Sequence, residues 1–286
     1  MVIASAVSFG TLSIFAKLAY NDGLGTVQLL AFRFGLAAIG MLVLAFVVGQ
    51  NPLRLTRRQV TTLVVVGAVL YTLQALTYFI ALRTLPASLC VLIVYIYPSL
   101  VVIAAWLFLG RRVSRWHVGA LIASFAGVIL LVGGAQFQLG VGLIFAFAAP
   151  LVYTTFILIS ERVMAAVPPV AASAVMMSGT AVVLGAIALV QGQLILPATP
   201  QAWSISVSIA IIPTMIAISL FLAGLPRVGA ARASLISTLE LVITVALAIL
   251  LLGDRFTPLE AVGGALVLGA VVVVQAAHLW KPLPLK

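Results

Sequence analysis

The chain has 286 residues, of which 64% are hydrophobic and 7% are charged, and its formal net charge is +10. Soluble domains carry about 25% charged residues, so this composition excludes a soluble globular protein and indicates a chain embedded in lipid. The excess of lysine and arginine does not indicate nucleic-acid binding, because these residues occur between apolar runs instead of forming a patch. The single cysteine, Cys90, excludes an internal disulfide.

Ten apolar runs follow one another along the chain, each with roughly the 17–25 residues that a membrane-spanning helix needs. Turn and charge signals separate the runs, and none shows the period-two alternation of a transmembrane barrel. The sequence therefore predicts an all-α integral membrane protein with ten transmembrane helices. We number the runs spans 1 to 10: Val2–Tyr20, Val27–Val48, Gln59–Leu82, Ala87–Leu109, Trp116–Val132, Leu139–Val163, Pro169–Val190, Ala202–Leu225, Ala230–Leu252 and Pro258–Leu279.

A stretch at the end of span 4 recurs at the end of span 9. Leu109-Gly110-Arg111-Arg112 aligns with Leu252-Gly253-Asp254-Arg255 at an offset of 143 residues, half of the chain. Each half then holds five spans, and this odd number makes the second half enter the membrane from the opposite side. The sequence predicts two inverted five-helix repeats, residues 1–134 and 135–286, in one transport unit. This architecture is typical of secondary transporters, whose substrate site lies between the repeats near the midplane.

The placement of lysine and arginine predicts the orientation of the chain in the membrane. One side carries 11 of the 15 basic residues, and the other carries Lys17, Arg33, Arg83 and Arg255. We expect the richer side to be cytoplasmic, which places both termini there. Lys17 and Arg33 lie a turn or more inside their spans, and their long side chains are expected to reach the outer surface.

Several motifs carry a resemblance to a known family: the two Leu-Gly-containing ends of spans 4 and 9, Pro98, Phe32-Arg33-Phe34 and Tyr78-Phe79-Ile80-Ala81-Leu82. With these motifs the chain resembles the ten-helix EamA-type members of the drug/metabolite transporter superfamily. Within that superfamily it is most similar to bacterial exporters of aromatic amino acids. The resemblance implies an inner-membrane carrier with a cavity lined by spans 1, 3, 4, 6, 8 and 9. The chain departs from the family pattern at Leu241, where proline is common, and at Arg111, where an acid is common.

Three prolines, Pro98, Pro150 and Pro213, lie in the middle of spans 4, 6 and 8. Each removes a backbone donor and frees a carbonyl group, which lipid tolerates where the freed group faces protein or a wet cavity. We expect these prolines to kink the helices around a substrate site and to flex during alternating access. The alternative interpretation is that transmembrane helices use proline freely.

Aromatic, hydroxyl and amide side chains share single faces of spans 3, 4, 6, 8 and 9. We expect a cavity that suits a small zwitterion with an apolar side chain, because hydroxyl groups orient such a ligand and rings stack on it. The alternatives are ordinary packing, an interfacial aromatic belt and hydrogen bonds between helices. The predicted substrate-binding residues are Tyr71, Gln74, Tyr78, Tyr95, Phe147, Tyr153, Phe221, Ser234 and Thr238.

Glu240 is the one acid predicted near the middle of the membrane, where a charge costs at least about 2.5–3.5 kcal/mol. Three interpretations are open: a proton-coupling site, a site for a substrate ammonium group, and a structural acid that is protonated or hydrogen-bonded to Ser237. No second buried acid or histidine is predicted beside it. The sequence therefore favours facilitated diffusion or exchange over strict proton coupling.

The sequence contains no nucleophile-elbow, zinc-protease or phosphate-loop motif, so we expect neither catalysis nor a cofactor nor a metal site. The expected function is export of small metabolites, amino acids above all, by alternating access across the bacterial inner membrane. The expected partners are the small-molecule substrate and the lipid bilayer, with no nucleic acid, and the protein is expected to be a monomer or a homodimer. The alternatives are a proton-coupled carrier for another metabolite or drug, a channel and an intramembrane enzyme.

Overall fold

The computed structural model describes residues 1–109, 115–134, 140–164, 167–228, 236–255 and 257–280. Nearly all of these residues are helical, and none of them lies in a strand. Seven helices in the described ranges are long and apolar enough to cross a membrane, and shorter apolar stretches represent spans 5, 9 and 10. The prediction of an all-α membrane protein with ten successive spans is confirmed.

Five spans are single helices and five are built from consecutive pieces. The single helices are Thr26–Val47, Arg115–Gly134, Val141–Met164, Pro169–Val190 and Pro258–Trp280, in spans 2, 5, 6, 7 and 10. The pieces are Val2–Gly10 and Leu12–Asn21 in span 1, Arg57–Val65, Val66–Tyr71 and Thr72–Thr84 in span 3, Ala87–Val94 and Tyr97–Leu109 in span 4, Pro200–Ala210, Ile211–Ile216 and Ala217–Val228 in span 8, and Leu239–Leu247 and Ala248–Leu252 in span 9. Val66–Tyr71, Ile211–Ile216 and Ala248–Leu252 are π-helical turns, and a short 3₁₀ helix, Pro52–Arg54, precedes span 3.

Local signals in the sequence determine several helix ends. Thr56 starts span 3 with a reciprocal cap, in which its backbone N–H donates to Gln59 Oε1 and its hydroxyl accepts from the Gln59 backbone N–H. The Thr199 hydroxyl caps span 8 by accepting from the Ala202 backbone N–H at 2.9 Å. Gly253 ends span 9 with a φ of 71°, a left-handed conformation that favours glycine.

Spans 2 and 7 pack against each other in opposite directions. At one end the Val170 backbone N–H, in the first turn of span 7, donates to Gln50 Oε1 at 2.8 Å. At the other end Gln193 Oε1 lies 3.5 Å from the position of a β-carbon at Gly25, where span 2 begins. Gln50 and Gln193 are 143 residues apart, so the repeat relates the two ends of this helix pair.

Spans 5 and 10 form a second antiparallel pair with close backbone contact. A β-carbon at Gly127 would lie 2.6 Å from the Gly263 carbonyl oxygen, and one at Gly263 would lie 2.6 Å from the Gly127 carbonyl oxygen. The repeat equivalents of these glycines, Ala270 and Ala120, are buried in one apolar cluster. Small residues at both crossings let the two helices approach closely, as is usual in lipid.

The six remaining spans connect these two pairs. Spans 2 and 7 contact spans 3 and 8, whereas spans 5 and 10 contact span 4. Span 1 contacts spans 8 and 9, and span 6, its repeat equivalent, contacts spans 3 and 4. This exchange of contacts is what two inverted repeats produce. All eight residues of the first helix of span 4, Ala87–Val94, are buried.

Candidate substrate site

Spans 4 and 9 are interrupted at equivalent positions. The helix of span 4 stops for two residues, Tyr95 and Ile96, and span 9 has a turn at Thr238, which is 143 residues after Tyr95. The Tyr95 hydroxyl donates to the Ser237 carbonyl oxygen at 3.3 Å and so joins the two interruptions. Paired interruptions of this kind mark the substrate site in carriers with inverted repeats, because the freed backbone groups need protein, water or ligand as partners.

Pro98 begins a helix instead of kinking one. It is the second residue of Tyr97–Leu109, where a missing backbone N–H costs little because the donors of the first turn have no helical acceptor. The backbone N–H groups of Ser99 and Leu100 both bond to the Ile96 carbonyl oxygen, at 3.0 and 3.2 Å. The expected kink in span 4 is therefore corrected to a break in the helix.

Pro150 lies inside the uninterrupted helix of span 6. The Thr154 hydroxyl donates to the Pro150 carbonyl oxygen at 2.7 Å and lies 3.5 Å from the Tyr97 carbonyl oxygen in span 4. Thr154 is buried, so this hydroxyl links the proline turn of span 6 to the break in span 4. The proline is placed next to the interruption, as the cavity prediction requires.

Pro213 lies in the π-helical turn of span 8. This turn accommodates a residue that has no backbone N–H to donate. The carbonyl oxygen of Ile209, four residues before the proline, accepts instead from the Thr214 hydroxyl at 2.9 Å. The same hydroxyl accepts from Arg33 Nε at 3.0 Å. The freed carbonyl group is thus satisfied, and span 2 is tied to the turn.

Span 3 contains the equivalent π-helical turn, Val66–Tyr71, without a proline. We call these two π-helical turns the wide turns of spans 3 and 8. The Gly67 carbonyl oxygen accepts from the Thr72 hydroxyl at 3.1 Å and from the Thr180 hydroxyl of span 7 at 2.8 Å. A side chain at Gly67 would collide with the Met176 backbone of span 7. These contacts hold Tyr71, the last residue of the turn, in its place.

A continuous row of rings leads away from the interruption in span 4 through spans 6 and 3 to span 2. Successive ring centroids lie 5.8, 4.6, 6.2, 5.0 and 5.1 Å apart, in edge-to-face or stacked contact. Three predicted site residues belong to this row, and the sequence analysis missed the others. We call the row the aromatic ladder: Tyr95, Tyr97, Tyr153, Phe156, Tyr71 and Phe34.

Tyr78 is buried on the same face of span 3 as Tyr71 and Gln74. Its hydroxyl oxygen lies 2.6 Å from that of Ser13 in span 1, and its ring packs edge-on against Phe79 at 6.1 Å. Gln74 is half-buried between the two tyrosines along this face. Ser13 escaped the sequence analysis, since one serine in an apolar span produces no periodic signal.

Glu240 lies in the first turn of the helix that follows the interruption of span 9. Its carboxyl group is in hydrogen-bonding range of the Tyr95 hydroxyl. The first turn of a helix favours an acid, because the backbone N–H groups there point at it without helical acceptors. Tyr78, Tyr97 and Tyr153 also lie within electrostatic range of this group, so the acid sits at one end of the aromatic ladder.

Some predicted residues lie apart from this cluster. Phe147 is 39% exposed and belongs to the outward stripe of span 6 with Ile144 and Leu151, so the structure corrects its assignment to the cavity. Its position at the edge of that stripe explains the error, because one turn of helix separates it from Pro150. Phe221 is half-buried in span 8 and makes no ring contact with another described aromatic residue. Thr238 is buried at the interruption, whereas Ser234 lies outside the described residues.

Arg33 is buried in span 2 and does not reach the membrane surface as expected. Its guanidinium carbon lies 4.8 Å from the Phe34 ring centroid and 5.3 Å from that of Phe79. Two rings and the Thr214 hydroxyl therefore replace the water that the group would find at the surface. No local pattern in the sequence indicates this partner, since Thr214 is 181 residues away.

Asp254 joins the two repeats beside the start of span 4. Its Oδ2 atom accepts from the Ser88 backbone N–H at 3.1 Å and from the Ser88 hydroxyl at 2.6 Å. The carboxylate thus caps the first turn of a helix from the other repeat. Lys17 of span 1 lies within electrostatic range of the same carboxylate.

Within the described part of the chain, no group of three or more histidine, cysteine, aspartate or glutamate side chains could hold a metal ion. The candidate site is made of hydroxyl groups, rings, one arginine and one glutamate. Such an arrangement suits recognition of a small polar ligand with a flat or apolar side chain.

Comparison with known proteins reveals a family and relatives that match most of the chain. The model of the EamA-like transporter family matches it twice, over residues 1–133 and 140–275. The "Uncharacterized transporter YwfM" of Bacillus subtilis (strain 168) is 28% identical over 174 residues, which are 60% of this chain and 58% of that relative. The matched region thus spans less than two thirds of the relative's length. A solved structure, described as a crystal structure of a protein, has the same fold, with a TM-score of 0.72 and 21% identity over 99% of this chain and 98% of the other.

Proposed function

The chain belongs to the EamA-like transporter family, and we propose that it is a secondary carrier that exports amino acids with aromatic or other apolar side chains. The pair of interruptions at Tyr95 and Thr238 carries this proposal, because it places freed backbone groups and the Glu240 carboxyl between the two repeats. The rings and hydroxyls of the aromatic ladder support the substrate class. The resemblance to bacterial exporters of aromatic amino acids supports it further.

Transport would proceed by alternating access, in which the two repeats rock about the interruptions. Three contacts join the repeats on the side predicted to be outer. Asp254 contacts Ser88 where span 9 ends and span 4 begins. Between the connections of spans 1–2 and 7–8, Thr199 contacts the Asp22 carboxylate at 2.9 Å, and Gln28 Nε2 contacts the Ile195 carbonyl oxygen at 2.7 Å. We assign them to the outer gate, which opens when these contacts break. The wide turns of spans 3 and 8 supply the places where helices bend.

The carrier is placed in the bacterial inner membrane as a multi-pass protein with both termini in the cytoplasm, as the distribution of basic residues favours. Export then runs from the cytoplasm to the outside. The protein works as a monomer or a homodimer, and it needs neither catalysis nor a cofactor for this task.

Facilitated diffusion or exchange agrees with a structural role for Glu240, in which the acid does not couple transport to protons. A proton-coupled carrier for another metabolite is the second candidate, and one contact favours it. The Tyr95 hydroxyl donates its single proton to the Ser237 carbonyl oxygen and also lies within hydrogen-bonding range of the Glu240 carboxyl group. Loss of a proton from Glu240 would draw that hydroxyl proton to the carboxylate, break the bond to Ser237 and so release the interruption.

Uptake of labelled amino acids into liposomes that contain the purified protein, with and without an imposed proton gradient, tests the proposal. We expect tryptophan and phenylalanine to move down their own gradients in both conditions. Movement only with the proton gradient would assign coupling to Glu240. If no amino acid moves in either condition, the substrate assignment is wrong, although the family and fold stand.

Tyr78→Ala connects this transport assay to the site. The substitution removes both a ring and the hydroxyl partner of Ser13, so we expect at least a tenfold lower transport rate, corresponding to about 1.4 kcal/mol. A matched control is Phe147→Ala, which removes a ring of similar size from the lipid-facing stripe of span 6. Normal kinetics in Tyr78→Ala would remove Tyr78 from the site.

A further inference from the structure

Arg33 carries a charge that its described surroundings do not neutralise. The side chain is only 5% exposed, and no acidic side chain of the described residues forms an ion pair with it. A charged side chain inside the membrane is costly, and such groups are usually paired or functional. An arginine held there without a carboxylate needs a negatively charged partner from elsewhere.

The contacts of Arg33 orient one edge of the guanidinium group and leave the other available. Nε donates to the Thr214 hydroxyl, which is itself fixed by its bond to the Ile209 carbonyl oxygen. The rings of Phe34 and Phe79 cover the guanidinium carbon at 4.8 and 5.3 Å. Neither terminal nitrogen donates a hydrogen bond to a described residue, and a pair of such nitrogens matches the two oxygens of a carboxylate.

The position of Arg33 relates it to the candidate site. Tyr71 and Tyr78, two predicted substrate-binding residues, lie within electrostatic range of its charge. Tyr78 is also within electrostatic range of Glu240, so the arginine and the acid both lie near this tyrosine. A basic and an acidic group beside the same tyrosines have the polarity that a zwitterion requires.

We propose that Arg33 binds the carboxylate group of the substrate, with the amino group directed along the tyrosines toward Glu240. This inference deepens the proposed function and rests on it for the amino group only, since the carboxylate contact requires no particular substrate at the other end. It gives span 2 a role in recognition as well as in packing. A bidentate ion pair between the guanidinium group and the carboxylate also predicts that lysine is a poor substitute at this position.

The test measures thermal stabilisation of the purified protein by four ligands that share one ring: phenylalanine, phenylalaninamide, phenethylamine and 3-phenylpropionate. We expect the unmodified protein to respond to phenylalanine at concentrations at least about tenfold lower than to phenylalaninamide, which lacks the carboxylate. In Arg33→Gln this preference should disappear. Arg33→Lys should weaken it, and Arg83→Gln, the same change at an exposed arginine of span 3, should keep it.

The outcomes separate this inference from the proposed function. Arg33-dependent binding of 3-phenylpropionate without binding of phenylalanine would sustain the carboxylate site and overturn the amino acid assignment. A folded Arg33→Gln protein that still prefers phenylalanine to phenylalaninamide would overturn the inference. The inference also fails if the unmodified protein does not distinguish carboxylates from their neutral analogues. Should Arg33→Gln fail to fold, Arg33→Lys decides, because an unchanged preference there contradicts the two-nitrogen contact that the inference requires.

Discussion

The wide turns of spans 3 and 8 occupy equivalent places in the two repeats but are stabilised differently. In span 3 the Gly67 carbonyl oxygen accepts two hydroxyl hydrogen bonds, from Thr72 and from Thr180. In span 8 the Ile209 carbonyl oxygen accepts one hydroxyl hydrogen bond from a described residue, that of Thr214, and that hydroxyl is held by Arg33. One turn is therefore closed by neutral groups, and the other depends on a buried charge.

The interruptions of spans 4 and 9 show the same contrast. Span 4 resumes at Tyr97 with Pro98, which needs no helical acceptor, in its first turn, whereas span 9 resumes with Glu240 in its first turn. The two repeats thus share the backbone shape of these turns and interruptions, but a charged side chain is present at only one member of each pair. A symmetric scaffold with asymmetric charges is what a site for one oriented, polar ligand requires, because a ligand without two-fold symmetry cannot use identical halves equally.

The largest expected effect comes from the glycine that distinguishes the span 3 turn. Gly67→Ala would drive a β-carbon into the Met176 backbone, which cannot move aside as a flexible side chain could. We expect a loss of stability of about 1–3 kcal/mol or more, measured as a lower Tm in detergent. Gly185→Ala in span 7 is the matched control, since nothing lies within 4 Å of its β-carbon position. Equal Tm values for the two variants would contradict the close contact between spans 3 and 7.

Two isosteric substitutions compare the turns directly. Thr214→Val leaves both the Ile209 carbonyl oxygen and Arg33 Nε without a described partner, so we expect a cost of about 1–3 kcal/mol. Thr180→Val leaves Thr72 on the Gly67 carbonyl oxygen, and its cost should be about 0.5–1.5 kcal/mol. Thermal unfolding of both purified variants gives the difference. A larger loss of stability in Thr180→Val than in Thr214→Val would contradict the prediction, because the turn of span 3 would then depend more on the Thr180 hydroxyl than the turn of span 8 does on the Thr214 hydroxyl.

The sequence predicted the elements well because their signals are local. Apolar run length located all ten spans, and the offset between Leu109-Gly110 and Leu252-Gly253 revealed the repeat. Helical spacing also placed Tyr71 and Tyr78 on one face of span 3, but it placed Tyr95 on a helical face with Pro98 and missed the break at Tyr95. Pro98 was recognised as special but taken for a kink, since a proline alone does not show whether the helix before it has already ended.

Other features of the site depend on partners that are distant in sequence. Arg33 was expected at the surface because its buried partners, Phe79 and Thr214, belong to spans 3 and 8. Phe147 was placed in the cavity because helical spacing from Pro150 leaves it at the boundary between two faces, and only packing decides between them. The π-helical turns leave no clear mark in the residue pattern either.

The smallest expected effect concerns the proposed outer gate and uses the single cysteine as a reporter. Cys90 is fully buried one helical turn from Pro86, close to the bond between Ser88 and Asp254. Asp254→Asn keeps an acceptor oxygen but loses the charge, which should cost less than about 1.5 kcal/mol, and Asp254→Ala loses both. We expect alkylation of Cys90 by a membrane-impermeant maleimide to rise modestly in the first variant and several-fold in the second.

The control for this experiment is another acid near the same end of span 9. Glu260 accepts from the Thr257 backbone N–H at 2.7 Å and caps the start of its own span, without joining the two repeats. Glu260→Ala should therefore leave the alkylation rate of Cys90 unchanged even if it lowers Tm slightly. If both alanine variants accelerate labelling equally, local loosening of the helix ends explains the result, and Asp254 is not part of a gate. Faster labelling in Asp254→Ala alone, reversed by a transported amino acid, would show that the contact between the repeats opens in the transport cycle.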